Sequence, residues 1–303
     1  MVNAILKKTK NILSGSAFKT IYFLSFLPLG FWYLVSDFSF LIIYYLLKYR
    51  VKVTRTNLKN SFPEKSEEAL KEIERKFYRH LTNIMAETIK SFSISDKELK
   101  KRIKIENGEL LENLFKKNIS LIAVTGHFNN WEWAAMSLPF HSRYKAQGLY
   151  LPIKNESLNT LMQSSRARFG IDLIETTDLQ EEMKRRSKLL TITGFIADQS
   201  PSNPLKAYWM NFLNQQTAVA FGTEKYARQY NLGVVFGKIS RIKRGYYCLR
   251  YELVCEDPKD LPEGEITRKH TQMLEQLIRN HPERWLWSHR RWKLKQPENI
   301  ETS

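Results

Sequence analysis

The spacing of hydrophobic positions changes several times along this chain, and each change marks a new element. From Ile21 to Leu47 the sequence reads IYFLSFLPLGFWYLVSDFSFLIIYYLL, 27 residues with one charge, Asp37. A bilayer core needs ~20 apolar residues as a helix, so this run is long enough to cross one. Pro28, Gly30 and the polar Ser36-Asp37-Phe38-Ser39 interrupt it. It fits either a single anchor helix or two shorter helices that meet near Ser36, dip in and return. Lys7, Lys8, Lys10 and Lys19 precede it and Lys48, Arg50, Lys52, Arg55 and Lys59 follow it, so flanking charge gives no orientation. A buried core helix is the bland alternative, but the many Tyr, Trp and Phe suit an interface.

Beyond residue 60 the period becomes helical. Leu70, Ile73, Phe77, Leu81, Ile84 and Met85 form one apolar stripe, with charges on the other face. The pattern then alternates. Short apolar runs at Ile119–Thr125, Ala146–Leu151, Ile171–Ile174 and Leu190–Ala197 predict strands. Helical patterns at Trp131–Leu138, Glu156–Phe169 and near Leu179–Lys188 separate them. After a loop, Ala218–Tyr230 reads as helix, Leu232–Ile239 and Tyr246–Val254 as a hairpin around Lys243-Arg244-Gly245, and Ile266–Ile278 as an amphipathic helix. Strands separated by helices predict an α/β fold with a mixed, largely parallel sheet flanked by helices. The expected organisation is an N-terminal membrane anchor, residues 1–50, carrying an α/β domain, residues 51–303.

Charge narrows the partners. Lys and Arg number 48 against 31 Asp and Glu, a net +17, which favours anionic partners such as acidic lipid, an acidic carrier protein or nucleic acid. No zinc-finger, RNP-type or helix-turn-helix pattern supports nucleic acid. The two cysteines, Cys248 and Cys255, are too few for a disulfide scaffold or a four-thiolate zinc site, so no structural metal is expected.

The chemistry concentrates in Leu121-Ile-Ala-Val-Thr-Gly-His127-Phe-Asn-Asn-Trp-Glu132. A buried strand ends at Thr125, Gly126 permits a tight turn, and His127 lands at the strand's carboxyl edge, where open α/β sheets place ligands. Asn129 or Asn130 caps the next helix, leaving Glu132 in its first turn. There the imidazole takes a proton from a hydroxyl while the carboxylate fixes its tautomer. Free amides at the helix start offer donors to an oxyanion. The chain carries its own control: His270-Thr-Gln-Met-Leu-Glu275 has the same spacing. Within a continuous helix that offset rotates the two side chains ~140° apart. A capping and packing turn is the alternative reading of the His127 segment.

That segment resembles the His-x4-Asp/Glu motif of the late lipid A acyltransferases. The resemblance extends, in the family's order, through Tyr49-Arg50, Asn57-Leu58, Ser61-Phe62-Pro63-Glu64, Arg166-Ala-Arg168-Phe-Gly170, Ala197-Asp198-Gln199 and Trp285-Leu-Trp-Ser-His289-Arg-Arg-Trp-Lys293. It implies a glycerolipid-acyltransferase-like fold and transfer of a fatty acyl group from acyl carrier protein to a hydroxyl of a lipid A precursor. The setting it implies is the cytoplasmic face of the inner membrane, with no cofactor, metal or acyl-enzyme. His127 is then the general base and Glu132 its orienting partner, with Asn130, Arg166, Arg168, Asp198 and Gln199 as substrate-binding candidates. Arg166 and Arg168 point ~200° apart on a helix, so at most one faces the site unless the helix ends at Gly170. A solvated helix face is the alternative for either. Asp198 follows a buried strand and sits beside His127 if the two strands are neighbours; otherwise it starts a turn. The Trp-rich block either meets substrate or seals the core with stacked aromatics and cations. The chain departs from the family at Phe212-Leu213-Asn214, where paired aromatics and Gly are common. Other acceptors (an aminolipid, lysophospholipid or glycolipid) stay open, because the dyad serves them equally, and a basic membrane adaptor without activity is the rival from another class.

Overall fold

The computed structural model describes residues 19–185 and 189–297. The apolar run breaks at Pro28 rather than near Ser36. A helical stretch, 19–24, ends in a turn, and after Pro28 a second helix, α1 (Leu29–Phe40), runs on through a π-helical segment, Leu41–Leu46. Proline lacks the N–H that would carry the first helix onward. Ser36 and Asp37 do not interrupt α1 because each has a partner: Ser36 bonds Thr82 and Asn83, and Asp37 meets Arg244.

Two further helices follow, α2 (Val51–Ser61) and α3 (Glu67–Ser91). Ser66 caps α3, and Glu67 and Glu68 in its first turn suit the positive helix end. Phe77 and Ile84 of the predicted stripe are buried, whereas Met85 is exposed. The polar face is not simply solvated: Glu74, Tyr78, His80, Asn83 and Glu87 are buried too. The apolar segment packs on that face and supplies its partners, through Tyr33–Glu87, Ser36–Asn83 and Tyr44–Glu74 hydrogen bonds. Leu29, Trp32, Phe40 and Tyr44 join the two main core clusters, so the segment is stitched to the domain along its length.

The chain continues through α4 (Asp96–Arg102), β1 (Ile103–Ile105), α5 (Gly108–Lys116), β2 (Leu121–Thr125), α6 (Trp131–Ser137), β3 (Lys145–Tyr150), α7 (Glu156–Ala167), β4 (Asp172–Glu175), α8 (Leu179–Arg185) and β5 (Thr191–Ile196). The last three residues expected in the charged helix, 186–188, lie outside the described residues. Next come β6 (Ala207–Phe212), β7 (Gln215–Ala220), α9 (Gly222–Tyr230), β8 (Gly233–Lys243), β9 (Tyr246–Cys255) and α10 (Glu265–Asn280). The main sheet has the order β1-β9-β8-β2-β5-β3-β4. It is an α/β fold with a mostly parallel sheet flanked by helices; β9 runs antiparallel to β8 and carries β1 parallel to itself. Ile122, Val124 and Phe195 face one core, and Leu121, Ile192 and Val235 the other. Burial on both faces accounts for the largely uncharged runs at the centre of these strands.

The stretch between β5 and α9 is not a plain loop. It contains the β6–β7 hairpin, so Ala218–Ala220 are strand rather than helix. Leu213 and Asn214 make its tight turn, both at positive φ (52° and 61°). Two successive left-handed residues match the twist of a two-residue hairpin turn, which Asn adopts readily and Leu does not. That substitution of Leu for a turn former hid the hairpin.

Candidate active site

Strands β2 and β5 are neighbours in parallel register, Thr125 opposite Ile196. Two residues beyond each partner lie His127 and Asp198, so the pairing itself delivers them to one edge. Asp198 Oδ1 is 2.6 Å from His127 Nδ1, and Asp198 Oδ2 accepts the His127 backbone N–H at 2.7 Å. Trp285 Nε1–H donates to the same Oδ2 at 2.7 Å. Gly126 is required by this approach, because a Cβ there would meet Asp198 Oδ2 and Leu274 at 2.9 Å. Asp198 is buried, and burial alone would raise its pKa. The His127 charge and hydrogen bonds from His127 and Trp285 outweigh that and lower it. For His127, burial pushes downward, but the Asp198 charge and hydrogen bond, with a smaller push from Glu132, leave the pKa raised.

A carboxylate only accepts, so the neutral imidazole donates from Nδ1 and keeps its lone pair on Nε2. Nε2 faces the Gln199 amide nitrogen at 3.3 Å, and the ring meets Trp131 edge-on, centroids 4.9 Å apart. Gln199 is therefore placed beside the reactive nitrogen.

The orienting carboxylate differs from the expectation. Asp198, not Glu132, is hydrogen-bonded to His127. Glu132 sits in the first turn of α6 and is clamped by Arg166, Nε to Oε2 at 2.9 Å and Nη2 to Oε1 at 2.6 Å. The strand register brings residue 198 to the ring, whereas the helix turns residue 132 toward α7. Arg166 and Arg168 diverge as their helical angles require. Arg168 donates to the Ser91 and Ile94 carbonyls at the end of α3, a good place for a cation because the carbonyl end of a helix is negative. Asn130 is also engaged internally: its Oδ1 caps α6 through Trp133 N–H, and its Nδ2 donates to Glu87 at 2.6 Å. The expected supply of free amides is reduced as well, since the N–H groups of His127, Phe128, Asn129 and Trp133 all have acceptors.

The tryptophan block packs in the core, and one member of it also holds the dyad's carboxylate. Trp285 holds Asp198 and meets Trp287 at 4.7 Å, and Trp287 packs on Phe62. Asn57 donates to the Trp287 and His289 carbonyls, and Arg50 to that of Ser288. These bonds explain why segments far apart in sequence belong together. Trp285 as a partner of Asp198 was missed; its signal was an indole N–H that needs a buried acceptor. Glu87 was missed as well. It is fully buried and accepts from Asn130, Tyr33 and Tyr247, joining the apolar segment to the helix that follows His127.

Beside the dyad an apolar cavity of about 110 Å³ opens between α6 and the sheet. Gly148, Gly194 and Ala123 lie in register on three adjacent strands and form its floor, with Ala134, Ala135 and Leu138 above and Leu173, Ile171, Ile239 and Leu249 at the sides. Small residues on both surfaces leave the space between helix and sheet unfilled. Glu132, Arg166, Trp131 and Thr125 also line it.

Comparison with known proteins places the chain among acyltransferase sequences. The family model described as bacterial lipid A biosynthesis acyltransferase matches residues 16–294. The chain is 24% identical over 294 residues to the lipid A biosynthesis lauroyltransferase of Escherichia coli K12, covering 92% of this chain and 94% of that protein. It is 22% identical over 249 residues to the lipid A biosynthesis palmitoleoyltransferase of the same organism, covering 82% and 80%, and equally to a lipid A biosynthesis acyltransferase of Shigella flexneri.

Proposed function

Because this chain belongs to the bacterial lipid A biosynthesis acyltransferases, we propose that it moves a fatty acyl group from acyl carrier protein to a hydroxyl of a lipid A precursor. The observation that carries this reading is an Asp-held imidazole whose Nε2 faces the Gln199 amide beside an apolar cavity. His127 Nε2 takes the proton of the acceptor hydroxyl as its oxygen attacks the thioester carbonyl. The C–O bond forms, the C–S bond breaks, and the proton passes from the imidazolium to the leaving thiolate. Asp198 keeps the ring oriented and stabilises its charged form. Glu132 adds to that field through its charge, and Arg166 fixes Glu132. The Gly148–Gly194–Ala123 floor gives the acyl chain a smooth bed. Gln199, beside Nε2, orients the hydroxyl.

The apolar segment supports the membrane placement we propose. Phe31, Leu34, Phe38, Leu41 and Tyr45 form an exposed stripe along α1 and its π-helical continuation, while the opposite face is bonded to charged α3. Taking that segment across a bilayer would drag α3 into hydrocarbon. The stripe instead dips into the cytoplasmic face of the inner membrane, with residues 1–50 as the attachment and 51–303 as the body. The basic balance of the chain suits both an acidic carrier and phosphorylated lipid.

The test is direct. Purified full-length protein mixed with acyl carrier protein thioesters and a lipid A precursor should yield, by mass spectrometry, an acceptor heavier by one acyl group. Transfer only to acceptors outside lipid A, at any donor length, would overturn the acceptor assignment.

A further inference from the structure

A second site lies away from the dyad, where the foot of the apolar stripe meets α3 and the tip of β8. An open cleft of about 700 Å³ there is lined by Lys76, Arg79, His80, Arg241, Arg244 and Asp37, with Phe40, Leu41, Asn83 and Glu283 completing it. Lys76, Arg79, His80 and Asn83 recur at helical spacing along one face of α3, and β8 runs past the end of β2 to bring Arg241 and Arg244 opposite them. Both carboxylates are already engaged, Asp37 by Arg244 at 2.8 and 2.9 Å and Glu283 by Arg284 at 3.0 Å. Lys76 pairs with Glu72. Arg79 lies over the Phe40 ring, and neither it nor Arg241 meets a carboxylate among the described residues.

The second observation is His80. It is 5% exposed, and neither ring nitrogen has a hydrogen-bond partner in the protein. Burial and the nearby Arg241 and Arg284 hold it neutral, with its pKa pushed down to about 3. A buried imidazole without partners is costly unless something enters to accept its N–H. Two guanidiniums with spare donors beside it define what enters: an anion with several acceptor oxygens, for which phosphate is the natural match. The location defines the source. Leu41, half exposed on the apolar stripe, forms part of the rim. With the stripe in the acyl region of a leaflet, the cleft stands at headgroup depth.

We propose that this cleft binds the phosphate of a membrane lipid headgroup, gripped by Arg79 and Arg241 over His80, as a site separate from the catalytic dyad. It does not depend on which acyl donor or acceptor the dyad uses. The experiment measures partitioning of full-length protein onto phosphatidylcholine vesicles with and without phosphatidylglycerol. Wild type should prefer the phosphatidylglycerol vesicles. The R79Q/R241Q double variant should lose about tenfold or more of that preference, since a basic residue at an anionic surface contributes about fivefold. K97Q/K259Q removes the same charge from exposed lysines that do not line the cleft, and should lose less than about twofold. His80→Phe blocks the cleft floor without changing charge and should also abolish the preference. Equal losses for the two double variants, or a preference retained in either R79Q/R241Q or His80→Phe, would overturn the proposal. Thermal stabilisation of wild type by millimolar inorganic phosphate, together with equal partitioning onto both vesicle types, would assign the cleft to free phosphate and overturn the lipid source. Circular dichroism confirms folding, and if one variant misfolds the other still decides.

Discussion

His127 and His270 are both followed, five residues on, by a glutamate, and both lie near Asp198. His127 bonds it directly, and His270 lines a small cavity behind it. Their environments nevertheless differ completely. His127 stands on a turn at the end of a strand, where the neighbouring strand delivers a carboxylate to Nδ1 and leaves Nε2 facing only the Gln199 amide among the described residues. His270 lies within α10, 3% exposed, with Nε2 unpartnered and its pKa pushed down to about 4 by burial. A histidine becomes a base when an acceptor holds one nitrogen and the other faces substrate. In neither copy does the glutamate at the fifth position supply that acceptor. Glu132 pairs with Arg166 and Glu275 with Arg279. Strand register, not motif spacing, makes the difference.

The largest effect should follow from removing the base. His127→Ala should lose ~10²–10⁴-fold in acyl transfer, the usual contribution of a positioned base, with the circular dichroism spectrum unchanged. Near-normal turnover would remove His127 from the chemistry.

Asp198→Asn makes His127 resemble His270, an imidazole without a carboxylate. The rate plateau should fall ~10²-fold. The pH profile has a definite sign. Pairing raises the His127 pKa above 6.5, so wild-type rate falls as pH drops through that raised value and the base becomes protonated. Without the carboxylate the acid limb should move to lower pH even as the plateau drops. An unmoved limb would mean that Asp198 does not set the basicity.

Much of this architecture was legible because β2, β5 and the first half of β8 are buried on both faces and carry short, mainly apolar runs between helices. Asp198 was legible conditionally: its place depended on β2 and β5 being neighbours, which is a question of topology. What escaped was settled at long range. The partner of Glu132 depends on how α7 crosses α6. Arg168 ends its helix against carbonyls of α3. The polar face of α3 looks solvated in sequence, yet it is buried because the apolar segment brings Tyr33, Ser36 and Tyr44 to it. The β6–β7 hairpin was hidden by a leucine at positive φ, and β1 has only three residues and no pattern of its own.

Glu132 sharpens the comparison at intermediate size. If it acts through charge, Glu132→Gln should cost ~10-fold in rate, well short of the loss at His127, because a charge without a hydrogen bond stabilises the imidazolium only through space. Arg166→Ala should cost a similar factor. The double variant should cost less than the product of the two, since each single change already disables the pair. A loss at Glu132 as large as that at His127 would return it to the role of direct partner.

The smallest effect on turnover belongs to His270. His270→Gln should leave acyl transfer within about twofold, as expected for a residue that touches no reacting group. Its consequence should appear in stability instead. In the fold its pKa is near 4, against 6.5 when exposed. The unfolded chain therefore binds the proton more readily, and acidification costs stability from pH 6.5 down to about 4, while nothing changes above. His127 works the other way: its raised folded pKa favours the protonated fold, a contribution fully present below 6.5 and lost as pH rises through the raised value. Thermal unfolding of His270→Gln should therefore show a shallower fall in Tm between pH 6.5 and 4, and His127→Ala should remove a loss of Tm that wild type shows as pH rises above 6.5. Parallel pH curves for wild type and both variants would show that neither histidine titrates as its surroundings dictate, and the physical contrast between the two sites would collapse.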